Sequence, residues 1–495
     1  MQQGDDMDYK YSLSLLRKIN NLRYKGVLLP NMFFYKGYNM WHFFQQRIFE
    51  DIKIFSATKG FEKKAKRYFP TIVKDFCVNL FLIGISSASF LLLVFRRERV
   101  LVFSIDRVNS KYKGDFRIEP LYEHLVRNRI PFIEIFHTIL GRNVFINFIK
   151  RKRSSFYLEA LDALCSFFII MRLIKRADSA WVDDIDFSNF TLEEGEFVKN
   201  VVKRYIYQTD ISAFKIKILT HLLSIIKIKA LFTIDDARYY HEIILACKLN
   251  AIKTYAFQHG HFTKYHVGWL KDPSFIGGVL APDLLVVWSS YWKDELARLH
   301  SVFPKHQIII GGTRRMFMKA KSTSINRKRQ DITVLIPYET SCPKTEVSAY
   351  ITKMLACPEV RVIFKLRPDM PKEQQLSEYN INEGFHSNFS VVTDAVHAMP
   401  NVDIVAGVYS TFLYDALAYT KRILILKTIS DYGEGLTLNK LADQLSIQDD
   451  VCKKLIEIKN IPQSVIKTRR ETLYGKEEKY LSDTLSLITR GLSLV

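Results

Sequence analysis

The chain has 495 residues, of which 48% are hydrophobic, with 72 Lys and Arg against 51 Asp and Glu. This length exceeds what one core usually organises, so two or three domains are expected, and the ordinary apolar fraction excludes a mainly disordered chain. The formal net charge of +21 indicates an anionic partner, which can be a membrane surface, nucleic acid or a phosphorylated substrate.

The cysteines and the N-terminus favour a cytoplasmic protein. The six cysteines are far apart and form no CxxC pair or zinc-binding spacing, so we expect reduced thiols. The first residues, MQQGDDMDYKYS, lack the basic segment and apolar core of a signal peptide.

Residues 1–98 are predicted to form a basic and aromatic N-terminal extension, because no strand–helix alternation begins before residue 99. Within it, residues 76–95 carry no charge and as a helix are long enough to cross about 30 Å of hydrocarbon. One Asn, one Gly and three Ser dilute this segment, so a helix buried in the protein competes with one seated on, or spanning, a membrane. Its basic flanks predict peripheral attachment to the cytoplasmic face of an anionic inner membrane.

Short apolar runs alternate with helix-length segments after this extension. The runs occupy residues 100–105, 130–136, 230–234, 252–257, 284–288 and 307–310. Such alternation is typical of βαβ units on a parallel sheet. It predicts an N-terminal Rossmann-like domain over residues 99–318, which we assign to the acceptor.

A polar and basic linker is predicted at residues 318–331, and a second alternation follows it. Its apolar runs occupy residues 332–337, 360–366, 389–392, 402–407 and 422–426. We therefore predict an α/β protein with two doubly wound, Rossmann-like domains facing a cleft, the second spanning residues 332–495. Ligands are expected outside the carboxyl ends of the strands, and a helix near residues 476–489 is expected to return to the first domain.

Two groups of polar residues follow strands of the first domain. Asp235 and Asp236 come directly after residues 230–234, where a carboxylate can act as a base, bind sugar hydroxyls or cap the next helix. The second group follows residues 252–257 and consists of Gln258, His259, Gly260 and His261. Histidine can accept a proton from an acceptor hydroxyl near neutral pH, or serve only as a hydrogen-bonded loop residue.

Two further groups follow strands of the second domain. Lys365, Arg367 and Pro368 end one strand, where the cations can bind an anion or lie solvated at the surface. Ser410 and Thr411 precede a predicted helix that contains Asp415. Hydroxyl groups at a helix N-terminus can bind phosphate, cap the helix, or do both.

Together these residues resemble the GT-B glycosyltransferases of capsule, lipopolysaccharide and teichoic acid assembly, including sialyltransferase-like and CDP-glycerol glycerophosphotransferase-like enzymes. The resemblance covers residues 231–426: QHG at 258–260, KLRP at 365–368 in place of K-x-HP, and VYSTFLYDAL at 408–417. Arg367 replaces the histidine of that pattern, and arginine binds phosphate but does not donate a proton at neutral pH.

The resemblance implies sugar transfer from a nucleotide donor to a growing surface polysaccharide or lipid-linked glycan. His259, Asp235 or Asp236 would accept the proton of the acceptor hydroxyl, beside an acceptor cleft that includes Gln258, Gly260 and His261. The donor side would consist of Lys365, Arg367, Pro368, Ser410, Thr411 and Asp415. We expect no metal and no cofactor beyond the sugar nucleotide.

Three alternatives stay open. A CDP-glycerol- or ribitol-type phosphotransferase would use the same scaffold, although QHG lacks the TWHG context of that group. A nucleic-acid-binding protein is supported by the net charge and by the basic cluster at residues 150–153, but no RRM, KH or helix-turn-helix pattern accompanies them, so we expect no nucleic-acid partner. A non-catalytic membrane assembly protein is the third, because Arg367 departs from the enzymes' pattern.

Overall fold

The structure is a computed structural model. It describes residues 9–58, 69–94, 99–106, 111–138, 144–151, 153, 155–171, 178–234, 240–313, 331–340, 342–367, 370–381, 384, 386–394, 398–476 and 479–492. Three of the predicted site residues, Asp235, Asp236 and Pro368, lie outside the described residues, as does most of the predicted linker.

The first half of the chain forms a helix-covered, seven-stranded parallel sheet. Its described helices are α1 (Tyr9–Asn20), α2 (Met40–Thr58), α3 (Phe69–Val94), α4 (Glu119–Arg127), α5 (Val144–Arg151), α6 (Leu158–Ile170), α7 (Leu192–Ile225), α8 (His241–Leu249) and α9 (Ser290–Arg298). Two small antiparallel hairpins come first, β1 (Arg23–Tyr24) with β2 (Val27–Leu28) and β3 (Phe34–Tyr35) with β4 (Tyr38–Asn39). The sheet strands are β5 (Arg99–Ile105), β6 (Phe132–His137), β7 (Ser155–Tyr157), β8 (Ile228–Ile234), β9 (Lys253–Phe257), β10 (Leu284–Val287) and β11 (Ile308–Ile310), in the order β11-β10-β9-β8-β5-β6-β7.

The second half forms a six-stranded parallel sheet, also between helices. Its described helices are α10 (Lys344–Leu355), α11 (Lys372–Glu378), α12 (Thr411–Ala418), α13 (Glu434–Leu438), α14 (Val451–Lys459), α15 (Gln463–Tyr474) and α16 (Lys479–Gly491). Its strands are β12 (Ile332–Pro337), β13 (Val360–Lys365), β14 (Phe389–Val392), β15 (Ile404–Gly407), β16 (Arg422–Leu426) and β17 (Asp443–Leu445), in the order β14-β13-β12-β15-β16-β17. The predicted fold class, two doubly wound Rossmann-like domains, is confirmed.

Both sheets change winding direction at one point, between β5 and β8 in the first and between β12 and β15 in the second. The strands beside these points are almost wholly buried, and every residue of β12 is buried. Continuous burial explains why the central strands are readable as apolar runs. We call the place where the winding changes the crossing point of the sheet. The connections that follow the two strands beside it run in opposite directions, and this leaves a crevice for ligands at the carboxyl ends of the strands.

The predicted N-terminal extension contributes helices to the first domain. Trp41 of α2 is fully buried, and its indole Nε1 donates to Oδ1 of Asn20 over 2.9 Å. Ile48 and Ile52 on the same helix belong to the core that α7 and the sheet share. The described part of residues 1–58 is therefore packed structure, and the domain limits at residues 98, 318 and 332 stay predictions.

Helix α3, which contains most of the apolar segment 76–95, covers the edge strand β7. Its Ser89 Oγ accepts a hydrogen bond from the Ser155 amide (3.1 Å), and Ser86 Oγ accepts one from the Tyr157 amide (3.2 Å). The serines that dilute the segment thus satisfy donors of a sheet edge. Within the described residues, no helix combines the length and apolar character that crossing a bilayer requires. Attachment to a membrane stays a prediction.

The last helix, α16, returns to the first domain as expected. Leu485 and Ile488 pack in one core with Val100 of β5, and the Thr489 hydroxyl lies 3.0 Å from His124 Nε2. The expectation of six reduced thiols is wrong for one pair, because Cys357 and Cys452 form a disulfide with Cα atoms 5.7 Å apart. They are separated by 95 residues, so their approach depends on how α10 and α14 pack on the sheet.

Candidate active site

A cavity of about 270 Å³ lies between the two domains at the carboxyl ends of their strands. The first domain contributes His259, Gly260 and His261, and the second contributes Arg367, Ser410 and Thr411. The predicted convergence of His259, Arg367, Ser410 and Thr411 on one interdomain cleft is therefore confirmed as geometry. Their chemical roles stay predictions.

A second cavity of about 300 Å³ adjoins the first and shares His259 with it. Arg117 and Glu119 line it from the first domain, and Asp415 lines it from α12. Asp415, which we assigned to the donor side with Ser410 and Thr411, thus faces the other cavity. The reason is distance along the helix, since Asp415 lies one turn, about 6 Å, beyond Thr411 on the same face of α12, where the second cavity lies.

The turn after β9 holds His259 at the junction of the two cavities. Gln258 is buried, its Nε2 donates to the Gly260 carbonyl (2.8 Å), and its Oε1 accepts from the Trp288 amide (2.9 Å). Trp288 Nε1 donates in turn to the Gln258 carbonyl (2.9 Å). Although Gln258 borders the second cavity, both ends of its amide bind the protein, so it fixes the turn and leaves the half-buried His259 facing the ligand space.

The remaining residues of this turn contact the second domain. A Cβ on Gly260 would lie 4.0 Å from Thr411 Cγ2, so the two domains approach closely here. His261 is buried and stacks on Tyr414, with ring centroids 4.7 Å apart and an interplanar angle of 11°. This packing makes His261 part of the domain contact as well as of the cavity wall.

Arg367 is oriented by a buried glutamine. Its amide donates to Gln375 Oε1 (2.7 Å), while Gln375 Nε2 donates to the Arg367 carbonyl (2.9 Å) and to the Met370 carbonyl (2.8 Å). These bonds fix the loop after β13 with Arg367 on the interdomain cavity. Lys365 does not line either cavity; its ammonium lies 5.3 Å from the ring centroid of Phe412, which directly follows Thr411.

Ser410 and Thr411 form the start of α12. Ser410 is the N-cap, and its Oγ accepts from the Phe412 amide over 3.2 Å. The capping interpretation therefore holds, and both residues also line the interdomain cavity. The positive end of the α12 dipole points at this space.

Glu339, which sequence reasoning missed, occupies the backbone amides of the turn between β15 and α12. Its carboxylate accepts from the backbone N–H of Val408 (3.0 Å), Tyr409 (3.1 Å) and Ser410 (2.7 Å). It follows β12, and the amides follow β15, so the contact spans the crossing point of the second sheet. Burial raises the pKa of Glu339 to about 7, although the three amides act in the opposite direction.

A signal for Glu339 exists in the sequence. Asp235 and Asp236 were selected as acidic residues at the end of an apolar run, and the glutamate in PYET at 337–340 lies in a similar position, two residues after the run at 332–337. The aromatic part of the wall, with Trp269, Tyr409 and Tyr432, has no comparable signal, because aromatic residues are scattered along the whole chain.

A charged cluster joins the two domains beside the cavity. Asp431 accepts hydrogen bonds from Lys264 Nζ (2.7 Å) and from the Tyr265 hydroxyl. These contacts hold the pKa of Asp431 below its usual value, against the opposing effect of burial. Tyr9 of α1 packs on Tyr432 with ring centroids 4.8 Å apart, so α1 also contacts the second domain.

No protein-family model matches the chain, and no curated protein matches it. Solved structures do. A protein described as a UDP-N-acetylglucosamine 2-epimerase from Listeria monocytogenes matches with a TM-score of 0.50 and 9% identity, over 81% of this chain and 98% of that one. The calicheamicin glycosyltransferase CalG4 gives 0.49 and 9% over 80% and 99%, and the UDP-GlcNAc 2-epimerase of Methanocaldococcus jannaschii gives 0.47 and 11% over 80% and 100%.

The chain has the GT-B fold. The interdomain cavity is therefore the cleft between two GT-B domains, with His259 on its first wall and Arg367 on its second. Within the described residues, no three His, Cys, Asp or Glu side chains gather as metal ligands.

Proposed function

We propose that this GT-B protein is a metal-independent glycosyltransferase that moves a sugar from a nucleotide donor to a surface polysaccharide or lipid-linked glycan, at the cytoplasmic face of a membrane. The observation that carries the proposal is the pair of cavities sharing His259. A histidine that can accept a proton stands where two substrates would meet, and Arg367, Ser410 and Thr411 border the interdomain cavity.

The proposed reaction places the donor phosphates in the interdomain cavity and the acceptor in the second one. His259 accepts the proton of the acceptor hydroxyl while that oxygen attacks the anomeric carbon. The bond between this carbon and the phosphate oxygen breaks, and the charge moves to the leaving nucleotide. Arg367, Ser410 and Thr411 stabilise this charge. Asp235 and Asp236, which directly follow β8 in the sequence, stay candidates for the base.

In this proposal the donor phosphate competes with the Glu339 carboxylate. Both are anions, and both suit the amides of residues 408–410. Protonation of Glu339 removes its charge and frees the amides, so phosphate binding is linked to proton uptake. The same carboxyl group stands next to the leaving phosphate, where it supplies the exchangeable proton that Arg367 lacks.

The second cavity favours transfer over epimerisation, the reaction named for two of the structural neighbours. An epimerase acts on the sugar nucleotide alone, whereas a transferase also needs room for an acceptor. A cavity of about 300 Å³ beside His259, lined by Asp415 among others, supplies that room.

The nucleic-acid alternative loses its local support. Arg151, in the basic cluster at 150–153, has a fully buried side chain that pairs with Asp106 Oδ1 at 2.6 Å. Arg153 donates to both oxygens of Glu134 over 2.8 and 3.0 Å. Two of the four cations therefore stabilise the fold around β5 and β6 and do not form a surface for a polyanion.

The test is a transfer assay with sugar nucleotides of UDP, CMP and GDP, each labelled in the sugar or in the phosphate next to it, with and without glycan acceptors. Sugar label in the acceptor, with release of the free nucleotide, is the expected result. Phosphate label in the acceptor would identify a phosphotransferase, and donor conversion without an acceptor would identify an epimerase. Absence of binding to every nucleotide in calorimetry would refute the proposal.

A further inference from the structure

A third cavity, of about 360 Å³, lies inside the first domain and shares no residue with the two described above. It is enclosed by the sheet on one side and by α3, α6 and α7 on the other. The sheet contributes Leu101, Ile133 and Ile135, and the helices contribute mainly Leu, Ile and Phe. The hydroxyl of Ser86, one of its few polar groups, already accepts a bond from the Tyr157 amide. The cavity therefore offers almost no partner to water.

We infer that this cavity binds one hydrocarbon chain of an anionic membrane lipid. Apolar cavities of this kind stay dry and take apolar ligands, and one of about 150 Å³ already admits benzene. The present cavity is more than twice as large, and its length follows two turns of α3, from Ile83 to Leu91. An extended chain fits such a shape and restores the dispersion contacts that an empty cavity lacks.

The mouth of the cavity is apolar on its outer side as well. Leu80, Ser87, Ala88 and Leu91 form one exposed face of α3, and Leu91 lines the cavity while 64% of its own surface is exposed. Ile225, at the end of α7, is exposed beside the lining residue Ile226. Exposed apolar groups around an apolar cavity indicate contact with hydrocarbon outside the protein too.

The charges near the mouth select an anionic lipid. Lys217 and Lys227 are exposed, and they directly precede and follow the lining residues Ile218 and Ile226. Residues 211–234 contain four lysines and no acidic residue, and of these lysines Lys215 is paired with Asp162 of α6. A lipid whose chain entered between α3 and α7 would thus have its phosphate near cations. This inference does not depend on the proposed sugar transfer.

The experiment uses the delipidated full-length protein and the fluorescent fatty acid cis-parinaric acid. We expect saturable binding of one molecule. Ser87→Trp, at the mouth, should weaken it by at least about tenfold, because the indole excludes several methylenes from the cavity. The matched control is Ala88→Trp, which is exposed on the same face of α3 but does not line the cavity, and it should bind as the wild type does.

A second measurement removes dependence on one variant. Ala160→Phe fills the cavity from α6 and should also reduce binding, with thermal melting as the check on folding. In flotation, the wild type should bind phosphatidylglycerol vesicles more than phosphatidylcholine vesicles, and Lys217→Glu with Lys227→Glu should remove the difference. Equal binding of the fatty acid by Ser87→Trp and wild type, or vesicle binding without any fatty-acid binding, would overturn the inference. Nucleotide affinity of Ser87→Trp should stay unchanged, which separates this result from a failure of the proposed function.

Discussion

Two turns border the interdomain cavity, and a buried side chain of different chemistry holds each one. Gln258 fixes the turn that carries His259 through an amide, which has no charge to lose. Glu339 fixes the turn that carries Ser410 through a carboxyl group whose pKa lies at about 7. The group that holds the first turn therefore does not titrate, whereas the group that holds the second titrates near neutral pH, where the proposed function places phosphate. We call the turn with His259 the fixed wall and the turn with Ser410 the adjustable wall.

The largest expected effect concerns the fixed wall. His259→Ala should lower the transfer rate by about 10²–10⁴-fold, because it removes the proton acceptor, and should leave nucleotide affinity nearly unchanged. The measurement is a transfer assay beside calorimetry. His306→Ala, an exposed histidine that lines neither cavity, is the control. Near wild-type transfer by the His259 variant would exclude it as the base.

The next prediction tests the titration of Glu339 through stability. The folded protein binds this proton with a pKa of about 7 against an ordinary value of 4.5, so the stabilisation is complete below about pH 4.5 and is lost as the pH rises through 7. Relative to Glu339→Gln, the free energy of unfolding should fall by about 1.4 kcal/mol per pH unit in this window, or about 3 kcal/mol in all. Urea denaturation at pH 5, 6, 7 and 8 measures it, and parallel curves for the two proteins would refute it.

The comparison with the glutamine variant isolates Glu339 from other titrating groups. His42, for example, is fully buried, and burial lowers its pKa to about 4. Its contribution is complete above about pH 6.5 and is lost as the pH falls through 4, which is the opposite sign. Because both proteins contain His42, its effect cancels in the difference.

Arg367→Ala should weaken nucleotide binding by about 10- to 100-fold and lower turnover as well, since a charge-assisted bond to phosphate is lost in both ground and transition states. Arg361→Ala is a matched control, because this exposed arginine lies on β13, the strand that precedes Arg367, and lines neither cavity. Calorimetry and the transfer assay check both variants. Equal loss in the two would show that general charge, and not the site, attracts the donor.

The titration of Glu339 should also change the affinity of the protein for the nucleotide donor. As the pH falls from 8 to 6, Glu339 becomes neutral and leaves its amides, so nucleotide affinity should rise by up to about tenfold per unit in the range where the proton is taken up. Glu339→Gln should remove most of this slope. A slope that is equal in both proteins would assign the pH dependence to another group.

The last prediction concerns the neutral amide. Gln258→Ala should lower the free energy of unfolding by about 1–3 kcal/mol, because the Trp288 amide and the Gly260 carbonyl lose their partner. The loss should be the same at pH 6 and pH 8, which distinguishes it from Glu339. Chemical denaturation at both pH values measures it, and a loss that varies with pH would break the contrast between the two turns.

The sequence predicted those features that depend only on the residues of a single strand and of the turn after it. β12 was predicted residue for residue, because a central parallel strand is buried on both faces and reads as an unbroken apolar run. Arg367, Ser410 and His259 were found by their position after such strands. The edge strands β7 and β17 were missed, since they have three residues each and contain polar side chains.

The rest depends on contacts between distant residues. The role of Glu339 depends on its hydrogen bonds with the amides of residues 408–410, about 70 residues later in the chain. Sequence spacing does not report that contact. The Cys357–Cys452 bridge and the side of α12 that Asp415 faces follow from helix packing in the same way. The order of the motifs along the chain predicted the cleft. Which side of the cleft each side chain lines depends on tertiary packing, which the motifs do not report.

Helix α16 has a consequence for the order in which the protein is made. The N-terminal domain begins with α1 and is completed by Leu485 and Ile488, near the end of the chain. During synthesis, the apolar surface of β5 that α16 covers stays exposed until both domains have left the ribosome. The first domain is therefore completed last, and a chain that stops before α16 leaves that surface uncovered. Because α16 follows the second sheet in the chain, the first domain is complete only when the second domain has been synthesised.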